Sequence, residues 1–145
     1  MTARFFADTN VAVYALDADP RRHERAFSIM RQSPVISTQI VNEFLSVLTS
    51  KKGVPRERAN RYARIMLRRC EVVSLTAQIV ERAISIGERY QISHWDALVV
   101  SAALFSGCDT LFSEDLQDGQ VFERRLTVMN PWSSGEIPRR VPVGR

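Results

Sequence analysis

The chain has 145 residues, 45% hydrophobic and 25% charged, which fits one globular domain with one core and excludes a disordered chain. No apolar run reaches the span of a membrane helix, and Met1 to Asp8 reads as a strand rather than a signal-peptide core. A cytoplasmic protein without membrane contact is expected. Lys and Arg number 20 against 16 acids, a formal net of +4, and if acids gather at one site the remaining surface is more basic still. That distribution suits a polyanionic substrate.

In chain order, Arg4 to Ala7 is a short apolar run ending in Asp8-Thr9-Asn10, a buried strand followed by a helix start. Val11 to Leu16 forms a short helix. Asp19-Pro20 offers an N-cap with Pro at the first helical position, opening a basic helix to about Gln32. Pro34 to Ser37 is the second strand, and a helix from Thr38 to Ser50 is stopped by Lys51-Lys52-Gly53. Pro55 opens a helix to about Arg69, with Ala59, Tyr62, Ala63 and Met66 on one face and Arg58, Arg61, Arg64 and Arg68 on the other. The third strand, Glu71 to Leu75, leads into a helix from Ala77 to Tyr90. Ser93 to Ser106 is a further helix ended by Gly107, followed by a fourth strand from Asp109 to Ser113 and a fifth from Leu126 to Met129. Short apolar strands alternating with helices predict a parallel sheet covered on both faces. Residues 1–132 read as the domain, and 133–145, with Gly135, Pro138, Pro142 and Gly144, as a loose basic tail. Cys70 and Cys108 have no His or Cys at metal-ligand spacing and read as ordinary thiols.

In open parallel α/β sheets, chemistry collects at the carboxyl ends of the strands. Asp8 ends the first strand and Asp115 follows the fourth, so both belong to one rim. Each acid also has a local explanation. Asp8 suits a helix N-cap. Ser93-His94-Trp95-Asp96 matches a capping box. Glu43, at the edge of the arc Ile40, Val41, Phe44, Leu45, Val47 and Leu48, suits a solvated helix acid. Asp115, with Asp118 three residues on, suits an acidic turn. Asp96, however, shares a helical stripe with Val99, Val100 and Ala103, and a carboxylate facing a core must be neutralised, paired or bound to metal. The constellation points to a site where no single acid does.

The same residues carry a resemblance to the PIN-domain family, and within it to VapC-type toxins of toxin–antitoxin pairs. The strand ending in Asp8-Thr9-Asn10 resembles the family's opening motif, and Glu43 after Ser37-Thr38-Gln39 matches its second acid. His94-Trp95-Asp96-Ala97-Leu98-Val99-Val100 is similar to the family's W-D-A helix and supplies the third acid. Leu111 to Leu116 resembles the segment bearing the fourth, Asp115, and Asn130-Pro131-Trp132 its closing turn. The resemblance runs from about residue 3 to 132. It implies a three-layer α/β/α sandwich with a five-stranded parallel sheet in the order 3-2-1-4-5. It also implies an endoribonuclease leaving a 5′-phosphate and a 3′-hydroxyl, inhibited by a cognate antitoxin protein and paired into homodimers. Asp118, which offers itself as a further ligand, and the long basic tail go beyond the family's pattern.

Clustered carboxylates with no Cys and no His pair select a hard ion, Mg²⁺ or Mn²⁺, one or two per site. Such an ion activates a bound water and stabilises charge on a phosphate. Asp8, Asp96 and Asp115 are assigned as direct or water-mediated ligands, and Glu43 as a ligand or as the residue orienting the attacking water. Thr9, Asn10 and Ser113 are neutral supports around them. Arg58, Arg61, Arg64 and Arg68 are the candidate RNA contacts, against the simpler reading of a solvated helix face. His94 reads as a surface or packing residue. Two rival classes are a binding domain of this fold without activity and a Rossmann-like phosphatase. The latter needs a second Asp two residues after the first, where this chain has Asn10.

Overall fold

The structure is a computed structural model that describes residues 2–16, 19–133 and 135–140. Its centre is a six-stranded sheet in the order β4-β3-β2-β5-β7-β6, where β2 is Phe5–Ala7, β3 Val35–Ser37, β4 Glu71–Val73, β5 Thr110–Phe112, β6 Val121–Phe122 and β7 Leu126–Met129. All neighbours pair in parallel except β6 with β7. The five parallel strands therefore follow the expected order, and the sheet gains a sixth. That edge strand escapes sequence reading because its hairpin turns through Glu123 and Arg124, both at positive φ (52° and 57°), where Gly or Asn would be the usual signal.

Phe5, Phe6 and Ala7 are fully buried, as a central strand covered on both faces requires. Phe5 meets Phe112 of β5 edge-to-face at 5.2 Å between centroids. Helices flank the sheet in two groups. The first contains α1 (Thr9–Tyr14), α2 (Pro20–Met30), α3 (Thr38–Ser50) and α4 (Arg56–Arg69), with α1 packed against both α2 and α3 and α3 against α4; the second pairs α5 (Ala77–Tyr90) with α6 (His94–Phe105). Helix α6 is buried almost all round from Ala97 to Leu104, and its chain leaves through Gly107 at φ +73°. Helix α1 begins at Thr9, two residues earlier than the apolar run suggests, because Asp8 adopts the extended cap conformation immediately before it.

Where it is described, at residues 133 and 135–140, the segment after Trp132 is tied down rather than loose. Arg139–Arg140 (β8) pairs in parallel with Thr2–Ala3 (β1) as a separate two-stranded sheet. Arg25 Nε donates to Pro131 O at 2.6 Å, its Nη1 to Gly135 O at 3.1 Å, and Gln32 Nε2 to Pro138 O at 3.3 Å. The remainder of the tail lies outside the described residues.

Candidate active site

Three strand ends build the rim. Asp8 follows β2, Ser113 follows β5, and Ser37 closes β3 just before α3 carries Glu43 inward. The backbone N–H of Asp8 donates to Phe112 O at 3.0 Å, which locks the first two ends together. Asp8 is 6% exposed. Its Oδ1 accepts from Thr9 N at 2.7 Å and its Oδ2 from Ser113 Oγ at 2.9 Å. A standard cap satisfies the second or third helical N–H. Here the bond goes to the first, so capping accounts for only part of this residue's placement. Burial pushes the Asp8 carboxyl up to about 6, with Asp115 and Glu43 adding repulsion; the bonds from Thr9 and Ser113 work in the opposite direction.

Glu43 is half-buried and held from two sides, by Thr9 Oγ1 at 2.6 Å and by Gln39 Nε2 at 2.9 Å. Asp115 is exposed at the rim, and its backbone N–H donates to Ser113 Oγ at 3.2 Å. Partial desolvation raises its carboxyl, followed by repulsion from Asp96, Glu114 and Glu43. Asp96 is half-buried at the start of α6, where Ser93 Oγ accepts from its backbone N–H at 3.1 Å. Ser93 thus caps the helix, while among the described residues the Asp96 carboxylate accepts no hydrogen bond from the Ser93 N–H in return. The capping box is half made, and the acid group is left to the site.

Asp8 feels the charges of Asp115 and Glu43, Asp115 feels those of Glu43 and Asp96, and among the described residues no ion pair joins any of the four acids to a base. Among the described residues no three such groups stand close enough together to hold a metal ion as they are placed. The donor set fits a hard divalent cation: anionic oxygens from four segments of the chain, two of them supported by hydroxyls that donate to the carboxylates.

Other sequence candidates take different places. Asp118 is exposed and accepts from Asn130 N at 2.7 Å, so it fastens the turn after β7. Asn10 is half-buried in the first turn of α1. His94 is exposed, with its ring 5.8 Å from that of Trp95. Arg58, Arg61, Arg64 and Arg68 form an exposed face of α4, a helix packed against α3 and the edge strand β4. Sequence reasoning missed Gln39. It is 7% exposed, and its Nε2 joins Glu43 to Trp95 O at 3.2 Å, coupling α3 to the first turn of α6. Its position one helical turn before Glu43 was the available signal.

Fold and site together define an α/β protein with four carboxylates grouped at the carboxyl rim of a mostly parallel sheet. The family model of the PIN domain matches residues 5–121, and the chain belongs to that family. Among solved structures it is similar to VapC20 of Mycobacterium tuberculosis, a sarcin-ricin loop cleaving toxin, with 22% identity and a TM-score of 0.63 over 75% of this chain and 88% of that one. A toxin–antitoxin complex from Klebsiella pneumoniae gives 15% identity and a TM-score of 0.67 over 89% and 98%. FitAcB from Neisseria gonorrhoeae gives 19% and 0.64 over 88% and 98%. At these identities the likeness speaks for the fold. No curated protein gives a significant sequence match.

Proposed function

We propose that the protein is a metal-dependent endoribonuclease, the VapC-like toxin of a toxin–antitoxin pair, with Asp8, Glu43, Asp96 and Asp115 as its active-site acids. The observation that carries this reading is the acid group itself. Four carboxylates from separate elements are linked by their charges through Asp115 without an ion-paired base among the described residues, and one of them is buried with its carboxyl raised to about 6. Ionised together such acids cost the fold stability, and a bound cation relieves that cost.

Asp8, Asp96 and Asp115 would hold Mg²⁺ or Mn²⁺, one or two ions, with Glu43 beside them. When bound, the ion supplies an activated water and charge neutralisation at the scissile phosphate. The chain's own part is to orient. Ser113 Oγ donates to Asp8 and receives the Asp115 N–H, so a single hydroxyl sets two of the acids. Thr9 and Gln39 fix both oxygens of Glu43, which keeps it in place to accept a proton from the attacking water. Binding is expected to favour unpaired RNA, whose backbone can enter an open rim.

The antitoxin surface we assign to the apolar groove between α1, α2 and α4, a cavity of about 320 Å³. Leu16, Phe27 and Ile65 stand exposed along it, with Arg31 and Arg69 at its sides. An apolar segment carrying acidic residues fits that chemistry. Residues 1–132 are taken as the nuclease unit, 133–145 as an appended tail, and the toxin is taken to act as a homodimer in the cytoplasm. Among the described residues no helix is long and apolar enough to cross a membrane.

The test is purified protein, freed of any co-purified inhibitor, incubated with total RNA and Mg²⁺ or Mn²⁺ beside Asp8→Asn and Asp96→Asn. Discrete fragments that disappear with chelator and in both variants are expected. Intact RNA throughout, with wild type folded and binding no metal, refutes the proposal and favours a binding domain.

A further inference from the structure

RNA lying beside four carboxylates needs cationic surface close by, and the α4 stripe sits on a helix packed toward the β4 edge. A second basic cluster is connected to the site directly. Glu114, the neighbour of Asp115, accepts from Trp132 Nε1 at 2.7 Å. Trp132 meets Tyr14 edge-to-face at 5.0 Å. The Arg22 guanidinium stands 5.0 Å from the Tyr14 ring centre and 5.9 Å from that of Trp132, and its Nη1 donates to Tyr14 Oη at 2.8 Å. Lys52 Nζ adds a third cation–π contact, 5.6 Å from the Tyr14 ring.

In front of this cluster opens a polar cavity of about 720 Å³ lined by Asp19, Arg21, Arg22, Glu24, Arg25 and Trp132. Asp19 Oδ1 takes the Arg21 backbone N–H, and Arg25 is engaged by the carbonyls of Pro131 and Gly135. Arg21 and Arg22 are exposed, and the Arg21 guanidinium has no hydrogen bond among the described residues. Arginines beside the wall of an indole match a nucleotide on both of its parts, phosphate and base. An acidic peptide would use the arginines and leave the ring idle.

We propose that this pocket is a subsite for an unpaired nucleotide of the RNA flanking the cut, with its phosphate on Arg21 and Arg22 and its base against Trp132. The inference rests on the nuclease reading above. The test measures fluorescence anisotropy of a labelled single-stranded RNA on Asp8→Asn protein in Mg²⁺, so that binding is seen without cleavage. Arg22→Gln is expected to weaken binding about ten-fold and to flatten the salt dependence by about 0.7 in log–log slope per lost phosphate contact. Trp132→Leu is expected to weaken it about ten-fold with the salt slope unchanged, while Trp132→Phe retains most of the affinity. Arg82→Gln, on the exposed side of α5, leaves affinity unaltered, and melting midpoints establish that every variant is folded. Full affinity in Arg22→Gln, with loss in Arg58→Gln/Arg61→Gln, overturns the subsite and leaves the nuclease reading standing. RNA neither bound by the parent nor cut by wild type overturns both.

Discussion

Neutralising Asp8 separates a structural role from a chemical one. Its carboxyl rises from 3.8 to about 6 on folding, and at about 1.36 kcal/mol per unit the ionised form costs the metal-free fold about 3 kcal/mol at pH 7.5. The native state holds this proton more tightly than the unfolded chain does. Stability from this group is therefore greatest below the unfolded value and is lost as pH rises from about 4 through about 6. At pH 4.5 the penalty has fallen to about 1 kcal/mol. Asp8→Asn keeps an oxygen for the Thr9 N–H and can turn its amide toward Ser113 Oγ. In chelator at pH 7.5 the variant should therefore be about 1–3 kcal/mol more stable than wild type, a melting midpoint about 4–10 °C higher. The gap should narrow at pH 4.5. Adding Mg²⁺ should raise the midpoint of wild type alone, by the equivalent of about 2.7 kcal/mol at a hundred times its Kd. Thermal melts followed by circular dichroism read all three quantities. A variant less stable than wild type in chelator at pH 7.5 would show that Asp8 is an ordinary helix cap, and the reasoning would fail.

Three further outcomes are expected. Gln39→Ala should lower single-turnover RNA cleavage about 10–100-fold without unfolding the protein, because Glu43 loses one of its two anchors; near-wild-type cleavage would remove Gln39 from the machinery. Arg4→Met breaks a two-oxygen bridge to Glu71 (2.8 and 2.7 Å) and the bond from Nε to Ser106 O. Since the pair is about a quarter to a third exposed, the loss should be only about 1 kcal/mol after solvent screening, read by urea denaturation. Phe27→Asp places a charge in the apolar groove at a residue 52% exposed, so it should abolish capture of the antitoxin while leaving RNA cleavage and melting intact. Undiminished capture would move the partner to another face.

The rim positions of Asp8 and Asp115 were legible because a strand that ends in an acid puts it at the carboxyl edge whatever the register. Glu43 and Asp96 were legible only as members of a set, since helical periodicity shows the stripe on which an acid lies but not what waits opposite. The half-made capping box shows why: Ser93 satisfies the local rule, and the Asp96 side chain goes elsewhere. Strand β6 was hidden by a turn built from Glu123 and Arg124, which carry no turn signature. The pairing of Thr2–Ala3 with Arg139–Arg140 joins short segments from opposite ends of the chain, and nothing local encodes it. The α4 arginines stood out because they repeat; the arginines at Trp132 did not, because that cluster exists only once the turn after β7 brings Pro131 and Trp132 to Arg25 and Arg22 of α2.

The neutral side chains of the site carry as much of its design as the acids. Ser113 ties Asp8 to Asp115, Thr9 ties α1 to Glu43, and Gln39 ties Glu43 to the residue before Asp96. Three uncharged residues thus link a chain of repelling carboxylates across two strand ends and two helices. Hydroxyls and amides can hold an anion by hydrogen bonds without neutralising it, whereas a lysine or arginine in the same place would satisfy the charge and displace a cation. Anchoring differs along the chain of links: Asp8 and Glu43 are fixed at both oxygens, while among the described residues the Asp96 and Asp115 carboxylates are set through the backbone bonds of their own residues. These two groups are also less buried than Asp8, Asp96 being half-buried and Asp115 exposed. A site so divided needs little rearrangement of its buried half when ligand binds, and any adjustment falls on the two acids with the fewest bonds to break.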